Sequence, residues 1–380
     1  MTVELGIPRL RASDAPRADP RAADRPDGFP SLVDRFGRVA TDMRLSLTDK
    51  CNLRCSYCMP AEGLPWLAKD AVLSADEITR VVGIGVRLLG VRELRLTGGE
   101  PLVRADLVDI VAALRAAHPD LPIALTTNAV GLDAKAAPLK EAGLSRINVS
   151  LDTLHPETFA QLARRPFFDR VLAGIEAAAA AGLGPVKINA VLMRGINDAD
   201  APELLAWCLE RGYELRFIEQ MPLDADHGWT RRGMVTAGEV REVLSTRFRL
   251  SPDPRARDGA PAERFEVRPL DGETRDGAPS SGGQGPALGT VGIIASVTEP
   301  FCSDCKRTRI TAEGKVMSCL FSHEEVDLRG LLRSGATDEE VAQRWQEAMW
   351  LKPKAHGMGH TGLGADDFVQ PDRSMSAIGG

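Results

Sequence analysis

Six of the seven cysteines in this 380-residue chain fall into two tight triplets, Cys51-x3-Cys55-x2-Cys58 and Cys302-x2-Cys305-x13-Cys319. Thiolates are soft donors suited to zinc and to iron-sulfur clusters. Three of them at the first spacing can hold three corners of a cubane and leave the fourth iron without a protein ligand. Such an iron can chelate a small molecule and pass it an electron. A zinc site, or an electron-transfer cluster completed by a distant ligand, is the competing reading. At the second triplet, spacing alone leaves zinc and iron-sulfur evenly matched, because His323 follows Cys319 by four residues and would complete a Cys3His tetrahedron. The seventh, Cys208, lies in the apolar helical pattern Leu204-Leu205-Ala206-Trp207-Cys208-Leu209 and reads as a buried structural thiol.

Close behind the second triplet stand Arg307 and Arg309, two apart, so that both side chains share one face of an extended segment. In isolation they would be a solvated charge pair. Beside a cluster they read as an anion clamp. The chain carries a net charge of -6, so it has no general attraction for polyanions, and nucleic acid is a poor partner. Any phosphate site must therefore be gathered locally from Arg and Lys.

Elements that can position these groups follow from the hydrophobic rhythm. Short apolar runs at Met43-Leu47, Glu93-Thr97, Ile123-Thr127, Ile147-Leu151, Val186-Leu192 and Leu215-Glu219 alternate with longer helical stretches, the pattern of repeated βα units on a parallel sheet. Ser74-Ala75-Asp76-Glu77 forms a capping box opening a helix to about Leu89, and Val171-Ala181 is helical up to Gly182. Six units predict an α/β fold, a partial (β/α)6 barrel, with a doubly wound sheet as the alternative. Either places polar residues at the carboxyl ends of strands in a shared crevice. The segments Thr97-Gly98-Gly99-Glu100-Pro101, Thr126-Thr127-Asn128, Ser150-Leu151-Asp152 and Glu219-Gln220-Met221 fall there.

Three regions are expected. Residues 1–35, rich in Arg, Pro, Asp and Ala, read as a disordered extension, 36–246 as the barrel, and 247–380 as a smaller module with shorter β-like runs, the second triplet and closing helices, the second capped by Thr337-Asp338-Glu339-Glu340. Within the last region Asp271–Gly285 reads as a linker-like insert. No run approaches the roughly 18 apolar residues of a membrane span, and no secretory leader is legible, so a cytoplasmic location and no membrane partner are expected.

Taken together, the first triplet after the first strand, Tyr57 within it, and Gly98-Gly99-Glu100-Pro101 after the second strand resemble the radical S-adenosylmethionine (SAM) family. Pro300-Phe301-Cys302-Ser303-Asp304-Cys305-Lys306-Arg307-Thr308-Arg309, Asn148-Val149-Ser150-Leu151-Asp152, Arg216-Phe217-Ile218-Glu219 and the terminal Gly379-Gly380 narrow the resemblance to the GTP 3′,8-cyclase family of molybdenum cofactor biosynthesis, from about Phe36 onward.

The resemblance implies two 4Fe-4S clusters, held by Cys51, Cys55 and Cys58 and by Cys302, Cys305 and Cys319, with SAM on the first and the purine of GTP on the second; His323 then has no metal role. It implies SAM contacts from Tyr57, Gly99, Ser150 and Met221. GTP contacts would come from Arg44, Arg95, Thr126, Lys187, Arg307, Thr308 and Arg309, with Arg216 a further phosphate candidate. The implied reaction is removal of the ribose C3′ hydrogen by an adenosyl radical, attack on guanine C8 and reduction to 3′,8-cyclo-7,8-dihydro-GTP, with the Gly379-Gly380 tail entering the site. Also implied are an electron donor of flavodoxin or ferredoxin type, a downstream cyclic pyranopterin synthase, and an assembly that a homodimer would satisfy. The family commonly has Gly where Ala129 stands, which matters if that backbone needs positive φ. Two rival readings are a two-cluster radical SAM enzyme that modifies a peptide and a non-catalytic iron-sulfur or zinc scaffold.

Overall fold

A computed structural model describes residues 19–26, 28, 31–270, 286–355, 370–371 and 373–379. The insert expected at 271–285, Gly380 and the first 18 residues of the expected extension lie outside the described residues. Six strands, β1 (Asp42–Ser46), β2 (Glu93–Thr97), β3 (Ile123–Thr127), β4 (Arg146–Ser150), β5 (Lys187–Val191) and β6 (Glu214–Ile218), alternate with helices, as expected. Neighbours pair in parallel and in chain order. The capping boxes at Ser74 and Thr337 form, opening helices Ala75–Leu89 and Asp338–Trp350.

Beyond residue 247 come β7 (Phe248–Pro252), β8 (Glu263–Pro269), β9 (Gly289–Ile294), β10 (Arg307–Ile310), β11 (Lys315–Met317) and β12 (Val326–Asp327). They continue the same sheet at both sides, giving the order β12-β11-β10-β1-β2-β3-β4-β5-β6-β9-β8-β7. β9 lies parallel to β6 and β10 parallel to β1, while the outer pairs are antiparallel. The change of rhythm at 247 therefore marks the addition of antiparallel outer pairs on both sides of the parallel core, within one sheet.

Alternation along the strands decides what each face carries. On β1, Met43 and Leu45 are fully buried under the helices, and Arg44 and Ser46 take the opposite face. Trp345, also fully buried, packs against the helix Ala75–Leu89 at Gly85, where a Cβ would come 3.3 Å from the indole and 3.6 Å from Met43 Sδ.

Part of the stretch assigned to the extension is instead built into the body. Leu32 is fully buried, its carbonyl accepts from the Ala40 amide at 2.9 Å, and Val33 bridges Val39. An apolar residue followed by the Asp34–Arg38 ion pair gives this turn its own anchor, which composition alone conceals. Among the described residues no helix is long and apolar enough to cross a membrane.

Candidate active site

Strand direction sets the two cysteine triplets at opposite ends of the sheet. Cys51, Cys55 and Cys58 follow the carboxyl end of β1, whereas Cys302 and Cys305 precede β10, which runs parallel to β1 with Asp42 beside Arg307 and Arg44 beside Arg309. Cys319 follows β11, antiparallel to β10, and so returns to the same amino-end side. The strand ends that carry the triplets are one strand length apart, roughly 17 Å at about 3.3 Å per residue. Sequence reasoning expected ligands at the carboxyl ends. Carboxyl-end residues such as Ser150, Asp152 and Met221 line the cavity, which extends from there to the amino-end side.

The first triplet rides on a loop pinned from both sides. The amides of Arg54 and Ser56 donate to the carbonyls of Ala163 and Leu162, each at 2.9 Å. Gly98 and Gly99 lie against the other side, where a Cβ would meet Thr48 O or Lys50 O at 2.4 Å. Glu100 then closes this turn onto β3, its carboxylate accepting from Thr127 Oγ1 and the Asn128 amide, both at 2.6 Å. Burial pushes Cys51 up to about 11 and Cys58 up to about 12, and raises Cys55 well above the usual thiol range, with the Asp152 charge adding to it. Lone thiolates are thus disfavoured here, and a cationic iron group is the partner that would offset them. The Leu53 amide already donates to Cys51 Sγ at 3.4 Å, the kind of outer-sphere bond that orients a ligand. These donors fit a cluster held by three cysteines.

Tyr57 reaches across this loop and donates to Asp152 Oδ2 at 2.7 Å, while Asp152 Oδ1 accepts from the Val191 amide at 2.8 Å. Burial raises Asp152 to about 6. Tyr57, Ser150, Asp152 and Met221 line one cavity of about 240 Å³ together with Arg44, Arg95, Thr126, Arg216, Arg307, Arg309, Cys302, Cys305 and Cys319. In the sequence Asp152 stands out only through its Ser150-Leu151-Asp152 motif; its burial just past the end of β4 is the signal that the fold adds.

Between the triplets lies a concentration of cations. The register aligns Arg309, Arg44 and Arg95 across β10, β1 and β2. Burial, and then the charges of Arg95, Arg309 and Arg307, push Arg44 well below the usual guanidinium range. Arg309 is brought down to about 10 by burial and Arg307. Burial opposes the Asp42 carboxylate, but the surrounding Arg44, Arg95, Arg307 and Arg309 outweigh it and hold it below its ordinary value. The buried Nε atoms of Arg44, Arg95 and Arg216 and Nη2 of Arg307 find no hydrogen-bond partner among the described residues. Buried donors of this kind call for an acceptor, and one buried carboxylate does not neutralise four guanidinium groups.

Two expected substrate contacts are placed differently. Thr308 alternates to the helix face, fully buried, where its Oγ1 accepts from Trp345 Nε1 at 2.9 Å. Its side chain packs on the helix face and does not line the cavity, so a substrate contact by Thr308 would have to come from its backbone. Lys187 does not line the cavity; it is paired with Glu214 at the amino ends of β5 and β6. Arg216 does line it, anchored by a bond from Nη2 to Asn148 Oδ1 at 2.7 Å. Gly99 contributes through backbone packing, as described above.

At the second triplet, burial would raise Cys305, but Lys352 and Arg307 outweigh it and bring it to about 7. Lys352 was not foreseen. His323 is exposed, whereas Cys319 faces the cavity. Among the described residues no group of three or more His, Cys, Asp or Glu side chains is gathered tightly enough to hold a metal ion. None of the cysteines forms a disulfide, and Cys208 is fully buried in its helix as expected.

The C-terminal segment threads this site. Ser46 Oγ donates to Ile378 O at 2.8 Å, and Arg309 Nη1 donates to Gly379 O at 2.7 Å. A Cβ on Gly379, whose φ is 85°, would meet Ser46 Oγ at 2.2 Å. Ala129 does take positive φ, 63°, so its side chain is carried where glycine would be unstrained.

Comparison with known proteins agrees with this organisation. The Radical SAM superfamily model matches residues 45–208, and that for Molybdenum Cofactor Synthesis C matches 213–358. The chain is 76% identical over 359 residues to a protein of Paenarthrobacter nicotinovorans named GTP 3′,8-cyclase, covering 94% of this chain and 99% of that one. Relatives of the same name in Streptomyces coelicolor and Rhodococcus opacus are 55% and 54% identical, covering 95% and 100% of this chain and 99% of each relative.

Proposed function

The chain belongs to the GTP 3′,8-cyclase family of radical SAM enzymes, and from that premise we propose that it converts GTP to 3′,8-cyclo-7,8-dihydro-GTP, with GTP lying between two clusters. The observation that carries this reading is the row of buried, partnerless guanidinium donors between the two triplets. A triphosphate is the polyanion that matches such a row, since charge-assisted bonds to Arg are strong and bidentate. Neither rival reading needs this arrangement.

In this proposal Cys51, Cys55 and Cys58 would hold one 4Fe-4S cluster, which with SAM bound would supply the radical chemistry directed at the ribose C3′ hydrogen. Tyr57, Ser150, Met221 and the Gly98-Gly99 backbone shape the SAM side, with Asp152 orienting Tyr57. Arg44, Arg95, Arg216, Arg307 and Arg309 hold the triphosphate, and Thr126 lines the nucleoside path. Lys187 acts at the rim. Cys302, Cys305 and Cys319 would hold a second 4Fe-4S cluster, whose open iron would supply a coordination site on the purine side. The chain's contribution is placement: reacting atoms held in one geometry, within a pocket that keeps a radical from other partners.

The test is anaerobic reconstitution, metal analysis and product assay. About eight irons per chain are expected, falling to about four in a Cys302→Ala, Cys305→Ala, Cys319→Ala variant. Deoxyadenosine formation should depend on GTP. About four irons in the parent chain would overturn the second cluster, and deoxyadenosine formation indifferent to GTP would overturn the substrate. The reductant of flavodoxin or ferredoxin type and the downstream synthase belong to the same reading.

A further inference from the structure

Two cations outside the cavity grip the turn that carries Cys302 and Cys305. Arg38, paired with the buried Asp34, donates through Nη1 to Cys302 O at 2.6 Å and also to the carbonyls of Pro353 and Lys354. From the other side Lys352, only 4% exposed, donates through Nζ to Cys305 O at 3.2 Å, to Arg307 O at 2.9 Å and to Cys305 Sγ at 3.3 Å. Burying an ammonium is costly unless its donors are satisfied. Two carbonyls and one cysteine sulfur satisfy them here, and no carboxylate is among them. That sulfur is the acceptor whose charge would match the ammonium.

Resting on the two-cluster reading, we infer that Lys352 is a positioning residue of the second cluster: its ammonium fixes the Cys302–Cys305 turn and donates to the Cys305 sulfur, holding positive charge against the cluster. Hydrogen bonds to ligand sulfurs and nearby charge set how readily a cluster is reduced, so this contact carries a redox consequence as well as a structural one. Lys352 thereby joins the end of the helix Asp338–Trp350 to the site, and the Trp345–Thr308 bond ties the same helix to β10.

The experiment uses the full chain with Cys51, Cys55 and Cys58 changed to Ala, so that only the second cluster can assemble. Lys352→Met removes the donor and the charge at similar length, and Lys352→Arg restores charge. Iron, sulfide and the potential-dependent spectrum of the reduced cluster are measured in each. At a fixed applied potential the reduced-to-oxidised ratio should fall at least tenfold in Lys352→Met, a shift of 59 mV for one electron, and recover in Lys352→Arg. Selective loss of this cluster in Lys352→Met, with the first cluster still loading in a chain that keeps its own cysteines, also supports the role. An unchanged ratio in loaded Lys352→Met overturns it, as does loss of both clusters, which would mark a general folding role. If the Cys51, Cys55 and Cys58 variant itself binds no iron, the two-cluster reading falls and takes this inference with it.

Discussion

Tyr57 donates its hydroxyl to Asp152 Oδ2 at 2.7 Å, joining the loop of the first cysteine triplet to the end of β4. Asp152 is raised by burial to about 6, from an ordinary value of 3.8. A carboxyl with raised folded pKa binds protons more tightly when folded. Its stabilising contribution is therefore full below about pH 4 and is lost as pH rises through about 6. Asp152→Asn keeps an oxygen for the Val191 amide and an amide for Tyr57. Urea unfolding of the cluster-free chain should show a decline across this window, up to about 3 kcal/mol, that is absent from Asp152→Asn. Parallel declines in both proteins would refute the assignment.

Arg44 should trade stability for binding. It is buried among Arg95, Arg309 and Arg307, so Arg44→Met relieves repulsion, and the ligand-free chain should gain on the order of 1 kcal/mol or more. Its affinity for GTP should drop by about tenfold or more, as expected for loss of a charge-assisted bond. Denaturant midpoints and equilibrium dialysis measure the two effects. A variant that loses stability and binds GTP normally would contradict the proposed role.

Gly379 sits where a side chain would collide with Ser46 and Thr97. Gly379→Val, or one bulky residue appended after Gly380, should cut product formation by about 100-fold, the scale of a misplaced reacting geometry. Iron content should not change. Full activity in either variant would remove the tail from the mechanism.

Thr308→Val provides the contrasting case, because its hydroxyl faces Trp345 and not the cavity. The variant should keep its turnover and lose about 1–3 kcal/mol of stability, since the buried indole N–H loses its acceptor. Impaired GTP binding at full stability would return Thr308 to the substrate side.

The six βα strands were legible to within about a residue because each is a short apolar run bounded by turn and cap residues whose preferences are local. Arg216 was a candidate through the family resemblance of its Arg216-Phe217-Ile218-Glu219 motif, and it lines the cavity. Lys352 carried no such signal: it stands after a helix, far along the chain from Cys305, and only packing brings them together. The sharing of an alternating strand between two faces also escaped. Thr308 lies between two arginines in the chain and still points away from them.

By itself the sequence determined the chemistry on offer: two open thiolate triplets, an Arg-x-Arg clamp and a family. Spacing and alternation give the triplets and the paired arginines, and the family resemblance favours iron-sulfur over zinc at the second triplet. Tertiary structure decided that β10 pairs beside β1, which sets Arg309 against Arg44 and the two triplets at opposite ends of one sheet. That pairing joins segments far apart in the chain, so no local propensity encodes it, and it depends on the burial of Met43, Ile310 and Trp345 in a common core.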